Sequence, residues 1–198
     1  MGTNHMGRQS IRFPQPPVVR GFASVAGKKE REGPLGDQFT ATVQDTTFGE
    51  KSWEQAERRM QQMTLELALE KAGLTDADLD AAFAGDLLNQ CIGSSFSLRN
   101  RGVPTLGLYG ACSTMAESLL LAAMSVSGGF ARTALAMTSS HFASSERQYR
   151  FPLGYGGQRT PTSQWTVTGA GAVLLGGGER GICQCSGRMG RSSYRHLA

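Results

Sequence analysis

The sequence predicts an α/β fold, a layered sheet with a central buried helix, and three observations carry that expectation. Short apolar runs alternate with helical patterns across residues 18–26, 52–73, 81–85, 86–101 and 105–109, an order that suits parallel strands joined by crossovers. Thr105-Leu106-Gly107-Leu108-Tyr109 follows Pro104 and runs into Gly110, so it reads as a buried strand bounded by turn signals. Directly after it, the stretch from Cys112 to Phe130 is rich in Ala, Leu, Met and Ser and stops at Gly128-Gly129. Apolar residues fall on nearly every side of that stretch, and such a helix is expected to be buried all round.

In chain order, Val18 to Ala26 is apolar and β-prone enough for a first strand. A long irregular stretch to Gly49 has weak strand character at Phe39–Val43, and loops of that length tend to be lids or contact surfaces. Ser52-Trp53-Glu54-Gln55 is a capping-box pattern opening a helix. In it Ala56, Met60, Met63 and Leu67 repeat on one face, Glu54, Glu57, Arg58, Arg59, Gln61 and Gln62 fill the others, and Gly73 is the stop. The Met pair belongs to the core. The acidic Thr75–Asp80 stretch lacks the glycine and terminal glutamate of a calcium loop and reads as a solvated helix start.

Ala81–Gly85 is a short buried strand, and Arg132–Thr138 is another. The second ends in Ser139-Ser140-His141, which places hydroxyls and an imidazole at a strand's carboxyl end, where open α/β sheets bind ligands. Residues 144–168 form a polar, aromatic loop in which Arg147, Arg150 and Arg159 interleave with Tyr149, Phe151, Tyr155 and Trp165. Guanidinium forks there suit a planar anion, and aromatics packing a subunit interface suit the pattern equally. Gly169–Leu175 reads as a small-residue buried strand closing the sheet beside the cysteine helix.

Length and composition allow one sizeable core within 198 residues. The domain is expected over residues 18–178, after an N-terminus at 1–17 that is disordered or a tag and includes His5, and before an aberrant, disordered tail at 179–198. The net charge is +4 and the isoelectric point near 9.1, but the basicity sits at the ends. Residues 1–32 carry six Lys/Arg against two Glu, residues 179–198 four Arg against one Glu, and the stretch between them ten against thirteen acidic residues. A nucleic-acid face would gather basic residues on the folded body, so no nucleic-acid partner is expected. Cys91, Cys112, Cys183 and Cys185 show no metal-type pair of spacings, and no metal or resident cofactor is expected. The apolar stretch 118–130 is too short to span a bilayer, so any membrane link is peripheral or through partners.

A cysteine at the first turn of a helix faces unpaired N–H groups and the positive end of the dipole, which favour a thiolate or a bound anion. Taken alone, Gly110-Ala111-Cys112-Ser113 fits a reactive thiol and a small buried residue equally. Four segments carry a family resemblance: Glu32-Gly33-Pro34-Leu35; Gly85-Asp86-Leu87-Leu88-Asn89-Gln90; Gly110 to Ser118; and the run from Thr138 through Gln158-Arg159-Thr160-Pro161 to Gly171. With these the chain resembles the thiolase-like superfamily, and within it the stage V sporulation protein AD branch.

The resemblance implies a thiolase-like fold of which this chain matches the first half. It makes Cys112 the nucleophile position. The partner His and Asn residues and the oxyanion donors belong to the second half, whose motifs neither His141 nor His196 matches. Condensation needs both a base and those donors, so binding is expected rather than catalysis. The resemblance further implies a sporulation protein that binds dipicolinic acid, a planar pyridine dicarboxylate accumulated with calcium, and takes part in its uptake into the developing spore. It would act with other stage V proteins on the cytoplasmic side of the spore's inner membrane, as a homodimer in full-length form. Cys112 and Ser113 at the helix start, His141, Arg150 and Arg159 are the expected ligand-binding residues. Two alternatives remain: an acyltransferase or condensing enzyme using Cys112, and a truncated, inactive half-domain whose tail arises from a change of reading frame or a fragmentary gene.

Overall fold

One strand sets the layering, because its side chains alternate between two separate cores. In Thr133–Ser140, Leu135 and Met137 point into one apolar cluster and Ala134 and Ala136 into another, so both faces of the sheet are covered. The computed structural model describes residues 4–8, 10–149, 161–162, 164 and 166–178. Within them β1 (His5–Met6) pairs antiparallel with β2 (Ser10–Ile11). A six-stranded sheet is built from β3 (Val18–Ala26), β4 (Ala41–Thr42), β5 (Ala81–Gly85), β6 (Thr105–Leu108), β7 (Thr133–Ser140) and β8 (Gly169–Gly176). Its spatial order is β4-β3-β8-β7-β5-β6, and every strand but β8 runs parallel.

The helices are α1 (Lys28–Arg31), α2 (Trp53–Ala72), α3 (Ile92–Leu98), α4 (Thr114–Ser127) and α5 (Phe142–Tyr149). Ser52 caps α2, its hydroxyl accepting from the Gln55 N–H at 3.3 Å. Gly73 ends it in the left-handed region at φ 64°. Leu65, Ala68 and Leu69 of α2 pack with Leu98 at the end of α3, and with Leu135, Met137 and Leu174, on one face. On the other face α4 sets Ala122, Ala123 and Val126 against Phe83, Ala134, Ala136 and Leu175.

Several expectations change. Glu57 and Gln61 are not on a solvent face of α2: both are fully buried, because positions 57, 61, 64 and 68 form one helical stripe and the polar half of it meets the serine-bearing end of β7. The α4 helix is not buried all round. Ala116, Glu117 and Met124 are exposed, since the helix rests on β5, β7 and β8 with only one face. β6 is exposed as well, with Leu106 half open to solvent, because it is the edge of the sheet. β8 does not close the sheet but runs between β3 and β7. The N-terminal stretch is not disordered throughout, for His5–Met6 pairs with Ser10–Ile11 and Phe13 is buried in the α4-side core. The tail 179–198 lies outside the described residues.

Gly85, the last residue of β5, lets the start of α4 come close. A Cβ there would meet the Leu108 carbonyl oxygen and the Thr114 Cγ2. Gly85→Ala is therefore expected to cost about 1–3 kcal/mol through overpacking. Thermal unfolding should show Tm falling by roughly 3–10 °C, and an unchanged Tm would contradict the close approach.

Candidate functional site

The chain leaves the parallel strands β5, β6 and β7 at one edge of the sheet and enters β8 there. A cavity of ≈ 670 Å³ opens at this edge, lined from β5 onward by Asp86 and Leu87, from the β6–α4 turn by Cys112, Thr114 and Met115, and from β7 by Thr138, Ser139 and Ser140. That volume lies within the usual range for small-molecule sites.

The turn that carries Cys112 is tightly tied. Ala111 is held in the left-handed region at φ 48°, a conformation a non-glycine residue adopts only under local constraint. The Thr114 hydroxyl donates to the Ala111 carbonyl at 2.9 Å and accepts from the Gly110 N–H at 3.1 Å. The Ser113 hydroxyl donates to the Gly110 carbonyl at 2.7 Å. Cys112 is left as a free, exposed thiol on the cavity wall at the head of α4, where the helix dipole favours negative charge.

Behind the cavity floor lies a connected set of buried polar side chains. Ser139 Oγ donates to Glu57 Oε1 at 2.7 Å, and Ser144 Oγ donates to Glu57 Oε2 at 2.7 Å. Gln61 Nε2 donates to Ser139 Oγ at 2.6 Å and to Ser94 Oγ at 3.1 Å, while Ser97 donates to Gln61 Oε1 at 2.6 Å. Ser94 Oγ and its backbone N–H both donate to Asp86 Oδ2 at 2.7 Å, and the Leu88 N–H donates to Oδ1 at 2.9 Å. Burial pushes the Glu57 carboxyl up to about 7; the Ser144 and Ser139 hydrogen bonds oppose the rise and the charges of Asp86 and Glu54 add to it.

Of the expected ligand residues, Cys112 reaches the cavity. Ser113 is turned away, its hydroxyl spent on Gly110. His141 is fully buried and does not line the cavity. Its Nδ1 accepts from the Ala143 N–H at 3.2 Å, which leaves Nε2 to donate to the Thr46 carbonyl at 2.8 Å. The ring stacks between Trp53 and Phe142. Burial lowers its pKa, so it serves as a neutral packing residue between α2 and α5. Arg150 and Arg159 lie outside the described residues.

Sequence reasoning missed Asp86 and Ser145 as wall residues and Glu57 and Gln61 behind them. Asp86 had a readable signal, since it directly follows a strand's carboxyl end. A second cavity of ≈ 360 Å³ lies at Gly27–Glu30 with Thr46, Phe142 and Thr168, and Lys28 and Lys29 are on its rim.

The family model described as stage V sporulation protein AD matches residues 7–192. Stage V sporulation protein AD of Bacillus subtilis (strain 168) is 45% identical over 169 residues, which cover 85% of this chain and 50% of that protein. Among solved structures, the priming β-ketosynthase of the R1128 polyketide pathway superposes with a TM-score of 0.54 at 16% identity, covering 89% of this chain and 54% of its own. The 3-oxoacyl-[acyl-carrier-protein] synthase III of Aquifex aeolicus VF5 gives 0.55 at 18%, covering 83% and 55%. These two likenesses establish the thiolase-like fold. The chain spans about half the length of the relatives it matches.

Glu57 makes stability depend on pH in a defined direction. Its folded pKa lies above its ordinary value of 4.5, so its contribution is complete below about 4.5 and is lost as pH rises to about 7. Between pH 5 and 8 the protein is expected to lose on the order of 2–3 kcal/mol relative to Glu57→Gln, measured by urea unfolding of both. Parallel pH profiles would contradict a carboxyl whose burial outweighs its two serine hydrogen bonds.

Proposed function

The chain belongs to the stage V sporulation protein AD family, and from that premise we propose that the cavity beside Cys112 binds dipicolinic acid for uptake into the developing spore. One observation carries this reading: an exposed thiol at the head of α4 faces the Thr138–Ser140 end of β7 across a cavity with apolar walls. Val25, Phe39, Leu87, Met115 and Val167 suit the two faces of a flat aromatic ring. The α4 start and the Thr138 hydroxyl, held by a 3.7 Å contact with Met115 Sδ, suit carboxylates, while the Ser139 and Ser140 protons go to Glu57 and the Val167 carbonyl. Among the described residues no Lys or Arg lines this cavity, so the ligand's charge is met by a hydroxyl and a helix dipole. Calcium enters this reading only as an ion that accompanies the ligand.

No helix among the described residues is long and apolar enough to cross a membrane. We place the protein at the cytoplasmic side of the spore's inner membrane through other stage V proteins. The exposed β6 edge supports a homodimer in the full-length protein.

The test is calorimetry of the full chain with pyridine-2,6-dicarboxylate. Binding is expected, and Cys112→Trp, which fills the cavity mouth, should weaken it at least roughly tenfold, about 1.4 kcal/mol. Heat absent from the unmodified chain contradicts the reading.

The exposed thiol of Cys112 also favours a second reading, acyl transfer through a thioester. Incubation with an acyl-CoA and intact-mass spectrometry decides it: an acyl adduct on Cys112 supports this reading, and unmodified protein contradicts it.

A further inference from the structure

The Glu57 carboxyl stands one hydroxyl away from the cavity. Both of its oxygens accept from serines, and it takes part in none of the ion pairs of the described residues. The charged groups around it do not neutralise it. Its own helix brings Glu54 one turn earlier and Arg58, which pairs with Glu50 at 3.1 Å. The end of β5 brings Asp86, a second carboxylate. The turn before α5 brings His141, whose ring is engaged by Thr46 and Ala143. Neither α3, β7, β8 nor the Phe142–Ser145 turn of α5 contains a charged residue. Arg20 of β3 is five residues, roughly 17 Å, along the strand from Val25, the residue that Ala170 aligns with Ser139.

Ser139 is the link. Its hydroxyl has one proton and two lone pairs. One lone pair is taken by Gln61 Nε2, and Ser97 fixes that amide's orientation by donating to its oxygen. The Ser139 proton therefore has two destinations, Glu57 or the cavity that Ser139 lines. While Glu57 is ionised, the Ser139 hydroxyl donates to it and offers nothing to the cavity.

We propose that Glu57 couples ligand binding to proton uptake: as a carboxylate enters the cavity, Glu57 takes a proton from solvent and donates it in a hydrogen bond to Ser139 Oγ, and the Ser139 hydroxyl turns its own proton to the ligand. No covalent bond to carbon forms or breaks; one proton moves from water to Glu57 and one hydrogen bond is redirected. Glu57 is thus a positioning residue that acts through Ser139. The inference rests on the dicarboxylate reading of the cavity. A carboxyl poised near 7 changes charge with little bias at neutral pH, and the neutral form is the one that binds. Affinity therefore falls as pH rises above about 7.

The experiment is calorimetric titration of the full chain with pyridine-2,6-dicarboxylate at pH 6 and pH 8, in two buffers of different ionisation heat. Kd is expected to rise roughly tenfold from pH 6 to pH 8, with close to one proton taken up per ligand at pH 8. In Glu57→Gln the amide N–H donates to Ser139 as the neutral acid would, so the low-pH Kd should hold at both values with no proton uptake. Binding with the same Kd at both pH values and no uptake overturns the coupling and leaves the site reading standing. Absence of binding at every pH overturns both. A Glu57→Gln variant that keeps the tenfold change overturns the assignment to Glu57, and the proton count of the unmodified chain decides the matter if that variant does not fold.

Discussion

The hydrogen bonds that Ser139 makes with Glu57 and Gln61 hold together the part of this molecule that matters. Through them α2 is fastened to the end of β7, and through Ser94, Ser97, Asp86 and Ser144 the same set reaches α3, the end of β5 and α5. A buried polar group left without a partner costs on the order of 1–3 kcal/mol, so these elements are restricted to the one arrangement that satisfies them all. The apolar cores on either side of the sheet make the domain stable without specifying this end of it. The polar set makes the end specific and builds the floor of the cavity.

The opposite wall depends on steric closeness together with hydrogen bonds local to its turn. Gly85 allows Thr114 to sit against β5, and the left-handed Ala111 turns the chain so that Cys112 faces outward at the head of α4. The two walls differ in kind, one a locally tied turn and the other a set of hydroxyls bonded to distant partners. A site of this sort suits a ligand held by its charge and its flat shape. The outward side of α4 leaves Met124 exposed, and Phe130 just past its end is exposed as well.

What the sequence made legible follows from locality. The strand at Val18–Ala26, the helix from its Ser52 cap to Gly73 and the cysteine turn after an apolar strand each depend on neighbours a few residues away. Long-range facts were not legible. Glu57 and Gln61 look like solvent-facing residues until a strand more than seventy residues further on supplies Ser139. The edge position of β6 and the central place of β8 are decided by pairing order, which periodicity does not encode. His141 was read correctly as lying at a strand's end, but its environment made it a packing residue: Trp53 and Phe142 close over a ring whose nitrogens are already used.

The central claim is one of place, that a small aromatic dianion is held between the head of α4 and the end of β7. Amide chemical-shift mapping of the full chain with pyridine-2,6-dicarboxylate measures this directly. Saturable shifts clustered at Cys112–Met115 and Thr138–Ser140 are the predicted result. Shifts confined to Gly27–Glu30, beside the lysine-rimmed second cavity, would contradict it.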